Sequence, residues 1–215
     1  MTSRLALALL PLIAVRPVAA QVTLQANAGF LDRRLSDGGA VEQQAGFIAG
    51  GGIALGMGRV AFSLSAVGGK LRAPTDRLTE DADYTRIAGE LTVPLAPPVA
   101  LSAGVVGSVF VTRVGAQRWI TPRVSLELRA PFTSIPATAY FAGSAIVGPS
   151  TNAAASPKGG MAIRAGVAGR PPVALFVEYQ LERLAFEGIA PRQEQRGEVL
   201  VGIRITPRPQ ASKST

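Results

Sequence analysis

Over residues 120–130 the chain reads ITPRVSLELRA, and apolar or neutral positions alternate with polar ones without a break. Ile120, Pro122, Val124, Leu126, Leu128 and Ala130 fall on one side of the alternation; Thr121, Arg123, Ser125, Glu127 and Arg129 fall on the other. A strand sends successive side chains to opposite faces, so the pattern predicts one apolar and one charged face. Helical spacing would bring Leu126 beside Arg123 and Glu127 and erase the division. The same period recurs over residues 22–31, 43–56, 59–69, 84–95, 99–112, 136–147, 160–168, 173–184 and 196–205. In the first of these, Val22, Leu24, Ala26, Ala28 and Phe30 oppose Thr23, Gln25 and Asn27. In the last, Val199, Val201, Ile203 and Ile205 oppose Glu198 and Arg204.

The segments between these runs carry turn chemistry or lack any apolar period. Short links fall at Met57-Gly58, 96–98 and 169–172; longer polar stretches fall at 72–83, 148–159 and 186–195. Short turns at one end and long loops at the other are the pattern of a strand meander crossing a bilayer. The fold class expected is therefore all-β: a closed, antiparallel, up-and-down transmembrane β-barrel of ten strands. The count falls to eight if the glycine-rich second run and the short eighth run are not strands. Gly50-Gly51-Gly52 precedes no helix and reads as a close backbone approach or a bend within a strand.

What the two faces meet is decided by their charges. The apolar faces are almost free of them. The opposite faces carry Arg86, Glu90, Arg123, Glu127, Arg129, Arg164, Glu178, Glu182, Glu198 and Arg204, five arginines matched by five glutamates. A solvated face would be rich in lysine and aspartate. Balanced Arg and Glu suit a confined interior, where guanidinium and carboxylate pair in a bidentate fashion and an unpaired charge is costly. These ten residues are the candidate charge network of a barrel lumen.

In these features the chain resembles small bacterial outer-membrane β-barrel proteins. The resemblance rests on the ten alternating runs, on segments such as FVEYQLERL (176–184) and GEVLVGIRI (197–205), and on the N-terminal leader. It implies outer-membrane lipid as the surrounding medium and the barrel assembly machinery as a partner. Such barrels commonly end on a C-terminal aromatic, whereas here Thr206 and a polar tail, 207–215, follow the last run. Phe30, Phe47, Tyr84, Trp119 and Tyr179 are candidates for interfacial aromatic girdles.

Residues 1–20, MTSRLALALLPLIAVRPVAA, have a basic start, an apolar run too short to span a bilayer and small residues at 18–20. They read as a secretory signal peptide, leaving 21–206 as the barrel. Removing Arg4 and Arg16 takes two of the 22 Lys+Arg while all 14 Asp+Glu stay, lowering the net charge from +8 to +6. The basic residues are scattered rather than grouped with aromatics, which argues against a nucleic-acid groove.

The chain has no Cys and no His. Disulfides and thiolate metal sites are thereby excluded, and the commonest general base is missing. Omptin-type proteases, lipid A deacylases and lipid A palmitoyltransferases resemble this architecture, and their catalytic constellations include His. Glu90, Glu127, Glu178 and Glu182 read as partners of arginine rather than as a catalytic carboxylate pair. Glu80, Asp81 and Asp83 read as a solvated acidic cluster rather than a Ca²⁺ loop.

No catalytic, cofactor or metal residue is therefore expected. The expected function is that of a non-enzymatic outer-membrane barrel with a charge-paired, largely plugged lumen, acting structurally or in surface interactions through its outer loops. The alternatives are a narrow channel for small solutes and a soluble exported barrel or sandwich that binds a ligand.

Overall fold

A computed structural model describes residues 21–75, 79–153, 157–186 and 192–207. The expected leader, 1–20, and residues 208–215 of the expected tail lie outside the described residues. The strands are β1 (Gln21–Asp37), β2 (Ala40–Met57), β3 (Val60–Leu71), β4 (Ala82–Ala96), β5 (Val99–Thr112), β6 (Gly115–Pro131), β7 (Ala137–Ile146), the two-residue β8 (Ser150–Thr151), β9 (Pro157–Gly169), β10 (Val173–Phe186) and β11 (Gln193–Ile205). Around the sheet the order is β5-β4-β3-β2-β1-β11-β10-β9-β7-β6, and β6 pairs back onto β5. Every neighbouring pair is antiparallel. The result is a closed barrel of ten long strands, with β8 a short addition beside β6.

The eight-strand count is thereby excluded, because β2 and β9 are both full members of the wall. The glycines 50–52 do not interrupt β2; they pair in register with Asn27, Ala26 and Gln25. The seam between the chain ends runs from Leu24↔Ile205 to Ser36↔Gln193. There the backbone groups of β1 and β11 find partners, as lipid requires of any spanning segment.

Several strands run further than the periodicity suggested. β1 continues to Asp37, β6 begins at Gly115, and β10 and β11 take in Phe186 and Gln193 to Gln195. Two connections at the loop end are therefore two-residue hairpins. In the first, Gly38 and Gly39 both adopt positive φ, 54° and 101°. A two-residue turn with positive φ at both central positions matches the right-handed twist of its strands, and glycine pays no steric penalty there. The 148–159 stretch is shorter as a loop than expected, since it contains β8 and the start of β9.

Prolines mark where the ladder changes. Pro94 lies at a register shift between β4 and β5. Pro122 sits where β7 leaves β6: β7 pairs β6 only from Arg123 onward, and the Val147 N–H donates to the Pro122 carbonyl at 3.0 Å. Beyond that point β8 pairs with Trp119 and Ile120. A residue with no N–H is tolerated where the neighbouring strand ends.

Burial is reversed relative to a water-soluble domain. In β6, Ile120, Val124, Leu126 and Leu128 are 51%, 48%, 48% and 46% exposed, whereas Thr121, Arg123, Ser125 and Glu127 are 1%, 9%, 4% and 4% exposed. Leu24, Phe30, Phe47, Ile53, Leu64, Ile87, Leu101, Val177 and Val201 are likewise exposed on the outer wall. Along β1 the outward apolar positions run from Val22 to Phe30. At about 3.3 Å per residue and a tilt near 40°, that covers roughly 20 Å, close to the apolar band of an outer-membrane barrel.

Of the five candidate girdle aromatics, Phe30, Phe47 and Tyr179 face outward and Tyr84 and Trp119 do not. Tyr84 is in phase with Arg86, and Trp119 with Thr121 and Arg123, so strand alternation turns both rings into the lumen. Lys70 enters β3 and is exposed on the outer face.

The face assignment is tested by substitution. Leu126→Arg places a charge on the outer wall and should destabilise the folded barrel by about 2–4 kcal/mol near the bilayer midplane. Ser125→Ala, one residue away inside the barrel, should cost much less. Urea unfolding in lipid vesicles measures both; equal costs would contradict the assigned faces.

Candidate functional site: the charged interior

Strand alternation fixes which side chains enter the lumen. From β4 come Tyr84, Arg86 and Glu90; from β6, Trp119, Arg123 and Glu127; from β9, Arg164; from β10, Glu178 and Glu182; and from β11, Glu194, Arg196, Glu198 and Arg204. All ten residues singled out in the sequence enter ion pairs.

Four of these pairs, Arg86–Glu198, Arg123–Glu182, Arg164–Glu127 and Arg164–Glu90, join strands that are not neighbours in the wall; others join adjacent strands or lie along one. Arg86 of β4 makes a two-pronged contact with Glu198 of β11, its Nη2 donating to Oε1 at 3.0 Å. Three strands lie between β4 and β11 in the wall. Arg123 of β6 donates from Nη2 to Glu182 Oε2 of β10 at 2.6 Å. The other oxygen of Glu182 accepts from Arg196 Nη1 at 3.3 Å. Toward the short-turn end, Glu127 accepts from Arg164 Nη2 at 2.8 Å and from Arg129 Nε at 2.5 Å, and Arg164 also lies 3.5 Å from Glu90. Glu178 accepts from the Tyr140 hydroxyl at 2.8 Å and lies 3.9 Å from Arg204.

Near the loop end sits a cluster that the sequence pattern did not isolate. Glu194, almost fully buried, accepts from Arg33 Nε at 2.9 Å and Nη2 at 3.2 Å, and from Arg196 Nε at 2.7 Å. Arg33 also donates from Nη1 to Gln44 and from Nη2 to Gln117, each at 3.0 Å. Gln117 is on β6, five strands from β1 in either direction, so this hydrogen bond crosses the full width of the barrel.

The Arg33 guanidinium lies 4.1 Å from the centre of the Phe110 ring, and that of Arg196 lies 5.0 Å from both Phe110 and Trp119. Cations over ring faces gain when water is excluded. Arg33 lies beyond the run at 22–31 because Asp32-Arg33-Arg34 puts charge on both faces and hides the period. The signal was present in Leu31, Arg33 and Leu35, which keep the strand period and are all buried. Glu194 escapes the sequence pattern because the apolar alternation of β11 is visible only from residue 196, whereas the strand begins at Gln193.

Two glycines seat the remaining aromatics. A Cβ on Gly166 would lie 2.5 Å from the Tyr140 ring, and one on Gly202 would lie 2.7 Å from Phe176. An aromatic ring laid over a strand glycine is a known way of covering it. Arg204 then lies over Phe176 at 4.3 Å and over Tyr140 at 5.8 Å. A void of about 10 Å³ remains between Leu31, Tyr84, Arg86, Ser108, Gln180, Glu182, Arg196 and Glu198. That is the space of about one water.

Outside the lumen, Glu80 accepts from the Arg113 backbone N–H at 3.2 Å and Asp81 from that of Ala73 at 3.0 Å. Both carboxylates serve loop backbone. Among the described residues no group of three acidic or other ligand side chains is placed to hold a metal.

With the wall closed, the outer face apolar and the interior ion-paired, the fold can be compared with solved structures. The outer membrane protease OmpT from Escherichia coli matches with a TM-score of 0.52 at 12% identity, covering 87% of this chain and 96% of that one. This is the bacterial outer-membrane β-barrel fold. Neisserial surface protein A also matches this barrel, with a TM-score of 0.41 at 14% identity, over 87% of this chain and 99% of that one. The translocator domain of the autotransporter NalP from Neisseria meningitidis matches with 0.45 at 12% identity, over 89% and 90%. No family model and no curated protein sequence matches the chain.

The buried pairs predict asymmetric mutational costs. Glu194→Gln leaves Arg33 and Arg196 without their shared carboxylate and should destabilise the barrel by about 3–5 kcal/mol. Asp32→Asn, which removes an exposed partner of Arg34, should cost about 1 kcal/mol or less. In Arg33→Met/Glu194→Gln the combined loss should be smaller than the sum of the single losses. A double-mutant cycle by urea unfolding in vesicles reads the coupling; additivity would show that the pair does not interact in the folded barrel.

Proposed function

We propose that this chain is a non-enzymatic barrel of the bacterial outer membrane, its lumen closed by side chains and its role structural or interactive at the loop end. The observation that carries this reading is the Arg33–Gln117 hydrogen bond across the barrel, with the Glu194 cluster and the three rings of Phe110, Trp119 and Phe186 beside it. Below that level Arg86–Glu198, Arg123–Glu182 and Arg164–Glu127 bridge further non-adjacent strands. Side chains tied to opposite walls obstruct permeation more effectively than charges lining one wall.

The chemistry of the interior supports the same reading. Glu90, Glu127, Glu178, Glu182, Glu194 and Glu198 all face arginines within 4.0 Å, which holds them as charge partners rather than free acids or bases. With no His or Cys in the chain, a hydroxyl nucleophile lacks its usual activating base. OmpT is a protease by name, but a shared fold carries no activity with it. Export through the leader at 1–20 and insertion by the barrel assembly machinery belong to this proposal. So does placement in the outer membrane, which the exposed apolar band supports.

Planar-bilayer recording tests the closed lumen. The purified full-length barrel should insert without discrete conductance steps at moderate voltage. Arg33→Ala/Glu194→Ala, which removes the loop-end cross-links together, should produce steps if those side chains are the obstruction. Regular steps from the unaltered chain would instead establish the narrow-channel alternative. A chain that remains soluble without detergent and lacks heat-modifiable gel mobility would remove the membrane reading altogether.

A further inference from the structure

The outer wall carries a donor-rich row at the loop-end border of its apolar band. In register across three strands stand Arg183 of β10, Gln195 of β11 and Arg34 of β1, and Arg34 is in turn paired with Gln43 of β2. All point outward, in phase with Tyr179, Val199 and Phe30 below them. Neighbouring strands are about 4.8 Å apart, so the two arginines stand roughly 10 Å from each other.

Their side chains are held in place. Arg34 donates from Nε to Asp32 at 2.9 Å, and Asp32 accepts from Gln43 at 2.9 Å; Arg183 donates from Nε to Gln195 at 3.1 Å. Arg34 remains more than half exposed. Two further outward cations, Lys70 near the end of β3 and Arg72 just beyond it, bridged to Ala45, extend the row around the wall. Among the described strand residues the carboxylates on this outer face are Asp32 and Asp83, the latter in register with Lys70, and the cations outnumber them.

We propose that this row binds the phosphate of a lipid headgroup in the leaflet at the loop end. The inference rests on the membrane placement proposed above, but not on the state of the lumen. Arginines at the border of an apolar band stand at headgroup height when that band lies in a bilayer, where anionic groups attract them. Here the band begins within one or two outward positions of the row, at Tyr179, Phe30 and Phe47. A molecule that reaches both must be anionic at one end and apolar at the other. Guanidinium groups present paired N–H donors that match phosphate oxygens, and each arginine here is anchored on its strand through its Nε.

Below the row, Ala28 and Ala49 pair in register, and Ala49 pairs with Gly68. This stretch of wall is flat, with Phe30 and Phe47 standing beside it in an edge-to-face pair 5.7 Å apart. An acyl chain can lie against such a surface.

The test uses the full-length barrel folded in detergent micelles, with heat-modifiable gel mobility confirming the fold in every sample. Native mass spectrometry then counts bound lipid on titration with lipid A, with the same lipid lacking its phosphates, and with inorganic phosphate as competitor. The expected result is one retained lipid A, lost at least tenfold in affinity in Arg34→Gln/Arg183→Gln and unchanged in Arg59→Gln at the opposite end. Equal retention of the phosphate-free lipid, or unchanged binding by the double variant, overturns the proposal. Displacement by inorganic phosphate at equal concentration would overturn a lipid site in favour of a small-anion site. Failure to show heat-modifiable mobility would count against the membrane reading instead.

Discussion

An ionised side chain shut away from water must find its opposite within a few ångströms or cost several kcal/mol. That constraint runs through the interior of this barrel. Arginines and glutamates are threaded onto alternate positions of the same strands that carry leucine and valine outward. Each strand therefore delivers charge inward at heights fixed by its register, and for several of these charges the partner comes from a strand elsewhere in the ring, as Glu198 does for Arg86. Shifting one strand by one residue would put its arginines into lipid and its leucines into the lumen. The charge pairs thus act with the apolar band, from opposite sides of the same wall, to hold one register.

The interior is layered accordingly. At the loop end, Phe110, Trp119 and Phe186 surround the Arg33, Arg196 and Glu194 cluster, so that the charges there are packed against rings as well as against each other. Toward the short turns the lining becomes Ser102, Ser125, Ser144 and Thr92, with Arg164 and Glu127 between them. Hydroxyls can satisfy one another there, as Ser125 and Ser144 do at 2.8 Å. Arginine serves the aromatic layer better than lysine would, because its planar head both stacks on a ring and donates sideways to carboxylates.

Much of this was legible in the sequence. Strict alternation over 120–130 determined which residues of β6 face in and which face out, and the ten charged positions chosen on that basis all take part in ion pairs. The information failed at strand ends. Asp32-Arg33-Arg34 and the polar run near 193–196 look like loops because polarity on both faces hides the period. Beyond the apolar band both faces do turn polar, so periodicity ceases to report on a wall that nevertheless continues. Tyr84 and Trp119 show a second gap. An aromatic residue in a charged phase reads as an interfacial anchor by composition, whereas its position in the alternation places it inside. Which strand each charge pairs with could not be read at all, because it depends on the curvature and shear of the closed ring.

The seam between β1 and β11 has a consequence for how the chain reaches this state. Every other long-strand contact joins neighbours in sequence, and several meet through turns of only two residues, as at Gly38-Gly39. Such hairpins zip locally and quickly. The seam instead unites Leu24 with Ile205, nearly the whole chain apart. Its entropic cost falls due in a single step, and until then two edges of unpaired backbone have nowhere to go in lipid. Arg33 and Glu194, which meet across that seam, are two of the charges brought together only when it shuts. The same residues that fill the mouth of the finished barrel are thus placed to latch it at the last moment of its assembly.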